Sequence, residues 1–204
     1  MQDLVGLLNS RQVHLGDVRS EDITVRRDRH PNYEAAVAQA LVDAWIARCP
    51  EIELDKDIPR WTDGLHLRRN CTGIVVEHEG TPIFKYHGLA AFSGRPLMIE
   101  VQKHGVANAD RRIPRGLGYA ERIYGRPAEA VIFCGASPDE RSGLVESLDG
   151  HPVSVIALPY APGELAHHAE QIRAGQRLDR RAIARAKQAE VDYRRRRLEM
   201  FGYL

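Results

Sequence analysis

Pro96-Leu97-Met98-Ile99-Glu100-Val101-Gln102-Lys103 reads as a buried strand that carries polar groups toward its C-terminal end. Successive side chains on a strand point to opposite faces. Leu97, Ile99 and Val101 therefore share one face, and Met98, Glu100 and Gln102 share the other. The first is a core face. The second is a candidate site, because a glutamate on an otherwise apolar strand loses hydration and must recover it from a cation, a metal or hydrogen-bond donors.

Upstream of this strand, Thr72 to Glu79 and Ile83 to His87, joined by a Gly-Thr-Pro turn at 80–82, have the pattern of a β-hairpin. A short strand is expected after the turn-like Asp63-Gly64, and residues 51–62 read as a connection. With the loop Ser93-Gly94-Arg95-Pro96, three strands are expected in succession, the hairpin lying beside 97–103. Earlier still, a helix is expected from Asn32 as N-cap, with Glu34 in the first turn where the helix dipole favours a negative charge. Val37, Leu41 and Trp45 recur at i, i+4 and i+8, and Pro50 stops the helix; its expected role is core packing. Residues 1–30 give a short amphipathic piece (Leu4, Val5, Leu7, Leu8) and a polar stretch without a legible element.

Downstream, a helix with Pro114 near its first turn is expected, carrying Ile113, Leu117, Ala120 and Tyr124 and closing at Gly125. Arg111, Arg112, Arg115 and Arg122 flank it. Ala130 to Cys134 and Val153 to Leu158 read as buried strands, and Ser137-Pro138-Asp139-Glu140 opens a short helix between them. Alternating helices and buried strands predict an α/β sheet with helices on both faces. Beyond Pro162 the composition is helical and basic, with Arg177, Arg180, Arg181, Arg185, Lys187 and Arg194 to Arg197, and Gly175 as a break. Such a run either meets a polyanion or an acidic partner, or is a solvated helix face.

At 204 residues, 43% hydrophobic and 28% charged, the chain is expected to form one domain over 1–204. Its core would span about 32–158 and a basic helical extension about 163–204. Lys plus Arg (29) balances Asp plus Glu (28), so the net charge of +1 gives no global attraction to polyanions; nucleic-acid affinity would need local clustering. Three cysteines without a CxxC pair argue against a disulfide framework or a zinc ribbon and suggest a cytoplasmic home. No apolar run reaches the ~20 residues that span a bilayer, and no signal-peptide pattern opens the chain, so no membrane partner is expected.

The order helix, three strands with the third bearing acidic and amide groups, helix, strand resembles the PD-(D/E)XK nuclease superfamily, the fold of many type II restriction endonucleases. The resemblance covers about residues 32–158 and rests on topology and on Ile99-Glu100-Val101-Gln102-Lys103. It implies a restriction-endonuclease-like mixed central sheet flanked by helices. It also implies Mg²⁺-dependent hydrolysis of DNA phosphodiester bonds, with duplex DNA as partner and a homodimer as assembly. In that family an acid on the preceding strand and the acid of the (D/E)xK strand bind Mg²⁺, while the lysine orients and activates water. Here the strict motif is absent, since Val101 stands two positions before Lys103. Glu100 and Gln102 share a face, so the resemblance implies an ExQ variant: Glu100 as metal ligand, Gln102 positioning water, and Lys103 as a secondary phosphate contact. For the upstream acid, the hairpin favours Glu77 or Glu79, whereas Asp63 would restore the family's aspartate but needs a longer insertion. Arg111, Arg112, Arg115, Arg180, Arg181 and Arg185 would contact phosphates.

Other expectations stand beside that one. Glu100 could instead form a salt bridge to a neighbouring arginine, in a non-catalytic nucleic-acid-binding or protein-interaction module on the same scaffold. Whether a second carboxylate converges on Glu100 discriminates the two. A third is a small-molecule enzyme binding an anion at the helix opened by Ser137. His78, His87 and His104 lack HxH or HExxH spacing and are expected to be surface residues.

Overall fold

The computed structural model describes residues 3–23, 33–58, 60–62, 64–70, 73–106, 108–161 and 163–175, together with Arg185 and Gln188. Helix α1 (Leu4–Ser10) and two single-turn 3₁₀ helices, Leu15–Asp17 and Ser20–Asp22, precede α2 (Tyr33–Ala47). Val37, Ala38, Ala40, Leu41, Val42, Trp45 and Ile46 of α2 are buried, which makes it a core helix on more than one side. Trp45 ties three elements together. Its indole N–H donates to the Leu8 carbonyl of α1 at 2.9 Å, and its ring lies 5.2 Å from that of Phe133 in the central sheet.

That sheet has five strands: β1 (Ile52–Leu54), β6 (Gly88–Phe92), β7 (Arg95–Gln102), β8 (Glu129–Cys134) and β9 (Val153–Ala157), in the spatial order β1-β6-β7-β8-β9. β6 runs antiparallel to both neighbours, and β7, β8 and β9 are parallel. α3 (Ala109–Tyr124) and α4 (Pro138–Ser147) are the crossovers parallel strands require. A second, antiparallel sheet of β2 (Arg60–Thr62), β3 (Leu65–Asn70), β4 (Gly73–His78) and β5 (Thr81–Tyr86) is formed between β1 and β6 in the sequence.

This corrects the expected neighbour of the strand at 97–103. The 73–86 hairpin forms as predicted but belongs to the second sheet; β7 pairs instead with β6, a strand the sequence did not reveal. Ser93-Gly94 forms the hairpin turn between them, both residues at positive φ (49° and 76°), as two-residue turns between twisted strands require. Leu97↔Ala90 and Ile99↔Gly88 fix the register.

β7 and β8 feed two cores. Leu97, Ile99, Val131 and Phe133 face α1, α2 and the helical residues 164–175. Met98, Ala130, Ile132 and Cys134 face α3, α4 and the apolar side of the second sheet. Helices thus lie on both faces, as the alternation predicts. α3 starts earlier than its sequence suggests, at Ala109, so Pro114 is inside the helix and not in its first turn. It lies close against β7. A Cβ on Gly116 would come within 2.7 Å of Met98 Sδ and 2.8 Å of the Phe84 ring. Gly125, at φ 65°, ends α3 in the left-handed conformation. Among the described residues no helix is long and apolar enough to cross a membrane.

Candidate functional site

β7 carries Glu100 into the interior, with only 1% of its surface exposed, on the face turned to α3. Both carboxylate oxygens are engaged. Arg112, one turn into α3, donates from Nε to Oε1 at 2.8 Å and from Nη2 to Oε2 at 3.3 Å. Gln102 Nε2 donates to Oε1 at 2.9 Å, and His87 Nδ1, at the entry to β6, lies 3.0 Å from Oε2. Arg112 is held from other sides too, donating to the Lys85 carbonyl and lying 4.7 Å over the Phe84 ring. His87 Nδ1 is also 3.3 Å from the Val101 amide nitrogen. One nitrogen cannot donate to the carboxylate and accept from the amide at once. The shorter contact, to the ionised carboxylate, governs, so the Nδ1 hydrogen points to Glu100.

Lys103 and His104 turn the other way. Both reach Glu34 Oε2 in the first turn of α2, at 3.0 and 2.8 Å. A cleft of about 310 Å³ opens here, lined by His87, Gln102, Lys103, His104 and α2. A larger one of about 690 Å³ shares Ala35, Gln39 and His87 with it and continues past Asp43, Lys85 and Arg69 between α2 and the second sheet. Chemically, this is an imidazole pinned through one nitrogen by a buried carboxylate at the wall of a cleft, with its other nitrogen left for a hydrogen bond.

The structure separates several residues that the sequence grouped. Glu100, Gln102 and Arg112 come together; Lys103 is beside them but is paired with Glu34. Glu77 lies on β4 of the second sheet, where Arg68 and His66 hold it. Its expected proximity to Glu100 depended on the hairpin pairing with β7, which does not occur. Glu79 is exposed in the β4–β5 turn at φ 50°. Asp63, Arg180 and Arg181 lie outside the described residues; Arg185 is helical and exposed. Arg112, expected to meet phosphate, is turned inward to Glu100, while Arg111 and Arg115 are exposed on α3. The expected anion site at α4 is filled by the chain itself. The Glu140 carboxylate accepts from the Ser137 amide at 2.9 Å and from its hydroxyl at 2.8 Å. His87 is not the surface residue its neighbours suggested, and Glu34, on a helix read as packing alone, also belongs to this region. Only the charge of Glu34 in the first turn hinted at it.

Burial pushes the Glu100 carboxyl up, but the His87 contact and the Arg112 guanidinium together outweigh burial and hold it below the usual carboxylate value. Glu34 is lowered by His104 and Lys103, and Glu77 chiefly by Arg68. All three folded-state values lie below the reference value of 4.5, so the unfolded chain binds more protons between the two. The stability from these pairs is fully present above that value and is lost as pH falls through the lowered folded-state values. Urea midpoints should accordingly be level from neutral pH to about pH 5 and fall on further acidification. A midpoint that rose with acid would show that these carboxylates are not held as ions.

The arrangement does not suit Mg²⁺, a hard cation that takes oxygen donors. The groups around the Glu100 oxygens are N–H donors and a guanidinium, which compete with a cation for the carboxylate. Among the described residues no cluster of three His, Cys, Asp or Glu side chains could form a metal cage. No family model, curated protein or solved structure matches this chain.

Proposed function

We propose that the chain is a nucleic-acid-binding module on a restriction-endonuclease-like scaffold, with Glu100 a structural carboxylate and the outer face of α3 a phosphate-binding surface. The observation that carries this reading is the closed pair of Glu100 and Arg112: a guanidinium, not a second carboxylate, converges on the buried acid. The scaffold assignment is supported by the sequence of elements around Glu100, namely α2, the antiparallel pair β6 and β7, α3 and the parallel β8. The binding surface is supported by Arg111, Arg115 and Arg122. They recur at i, i+4 and i+11, fall on one exposed face, and span about 17 Å along the axis. The side chains of Arg111 and Arg122 make no hydrogen bond or ion pair among the described residues.

The test is binding of labelled nucleic acid as salt is raised. Affinity should fall steeply with salt, and the triple variant Arg111→Ala, Arg115→Ala, Arg122→Ala should bind weakly, its salt slope smaller by about one for each phosphate-binding arginine removed. Equal affinity and slope in the triple variant would remove α3 from the interface.

A second reading, the Mg²⁺-dependent DNA endonuclease, is favoured by one observation: His87, Gln102 and Lys103 meet at a single cleft with Glu34 behind them. A homodimer cutting a palindrome belongs to that reading alone. Incubating plasmid with the protein, in Mg²⁺ and in EDTA, decides between the two. No cleavage is expected; discrete Mg²⁺-dependent fragments, absent with Glu100→Ala, would establish the nuclease.

A further inference from the structure

We infer that Trp61 is a stacking platform for an unpaired nucleobase, so that the nucleic acid bound by this chain is single-stranded where it crosses β2. This rests on the nucleic-acid reading above and specifies its ligand.

Trp61 is 73% exposed, an unusual state for the largest apolar side chain. Its position is fixed all the same. It pairs with His66 across the β2–β3 ladder, and the two rings stack with centroids 3.6 Å apart and planes 3° from parallel. Glu77 anchors the lower ring, with its Oε2 3.6 Å from His66 Nδ1. The same carboxylate accepts from Arg68 Nε at 2.6 Å, which holds that half-exposed guanidinium two residues from His66 on the same face of β3. The result is an ordered pile of carboxylate, imidazole and indole with one indole face still open and a cation beside it.

An open π-face in a parallel stack takes a further flat π-system, and an adjacent cation suits a ligand with phosphate next to its ring. A single-stranded nucleic acid has both in every residue, and base stacking on aromatic side chains with cations tracking the backbone is the general chemistry of such binding. In a duplex the base faces are already stacked on one another, so the ligand base must be unpaired. Addition of a peptide strand to the free edge of β2 is the competing use of an edge, but β2 has only three residues and offers too short a ladder. β2 also packs against α3 through the side that carries Arg60, so Trp61, one residue on, stands on the outer face of the second sheet, turned away from that helix.

The chain has two tryptophans, and the other, Trp45, is fully buried, so a change in emission on binding reports Trp61. The protein is titrated with single-stranded DNA, single-stranded RNA of the same sequence, and the DNA duplex. Single strands should quench the emission, and whichever of DNA and RNA binds more tightly identifies the source. Trp61→Ala should abolish the quench and weaken single-strand binding about 5- to 100-fold, with duplex binding changed less than twofold. Trp61→Phe should restore part of the affinity, and both variants should unfold at the wild-type urea midpoint. Single-strand binding without quenching, and unaltered in Trp61→Ala, would overturn the platform and leave the α3 surface standing. Absence of binding to all three nucleic acids would overturn both.

Discussion

Replacing Arg112 with methionine should destabilise the protein by about 3–5 kcal/mol, the range for a buried ion pair broken from one side. The reason is what remains behind. Glu100 is almost fully buried on a strand packed on both faces, and without the guanidinium its charge would keep only His87 and Gln102 as partners. The Lys85 carbonyl would lose a donor and the Phe84 ring its cation in the same step. The double variant Glu100→Met, Arg112→Met separates this account from simple loss of packing. With both charges gone, most of the stability should return, because no unpaired carboxylate is then held out of water. The check is urea denaturation of the two single variants and the double. Additive losses would mean that the pair is not coupled.

Trp45→Ala should have an effect of similar size, about 3–5 kcal/mol, by a different route. Trp45 is fully buried between α1, α2 and the sheet, so truncation opens a cavity against Phe133 and strips the Leu8 carbonyl of its only indole donor. Because that hydrogen bond docks α1, amide exchange in Leu4–Ser10 should accelerate more than exchange in β7 or β8. Uniform acceleration across all elements would show that Trp45 supports the fold globally and has no special hold on α1.

These two residues also mark how far the sequence could be read. Trp45 was legible, because helical spacing from Val37 through Leu41 identifies a buried stripe whatever it packs against. The hairpin at 73–86, the strands β8 and β9 and the Ser137 cap were legible for the same local reason, although β9 is the half-exposed edge of the sheet and not the buried strand its apolar run suggests. β6 was not. Gly88-Leu89-Ala90-Ala91-Phe92 has neither β-branched residues nor an alternation of polar and apolar side chains, since it is buried within the sheet and its identity as a strand comes from its partners. Missing it misplaced the hairpin and, with it, the candidate acid Glu77. The surroundings of Glu100 were only half visible: alternation put Glu100 and Gln102 on one face, and a salt bridge to a neighbouring arginine was one expectation. Which arginine, and that His87 would join it, depends on α3 lying across β7 and on the β6 turn, neither of which leaves a trace in spacing.

The way the second sheet is attached bears on how such a chain can change over generations. Leu54 pairs with Ala90, and the Asp55 amide donates to the Leu89 carbonyl at 3.0 Å, so the chain departs from the central sheet and rejoins it at adjacent points. To the five-stranded sheet everything between is a closed loop, and closure entropy rises only slowly with loop length. The four strands from Arg60 to Tyr86 can therefore lengthen, shorten or be exchanged as a cassette without disturbing the register that sets Glu100. What such an exchange must preserve is the lid over Ile113, Leu117 and Ala120 of α3, together with the Lys85 carbonyl and Phe84 ring that grip Arg112. Inheritance is thus free along most of the excursion and constrained at its return, where β5 hands the chain to His87.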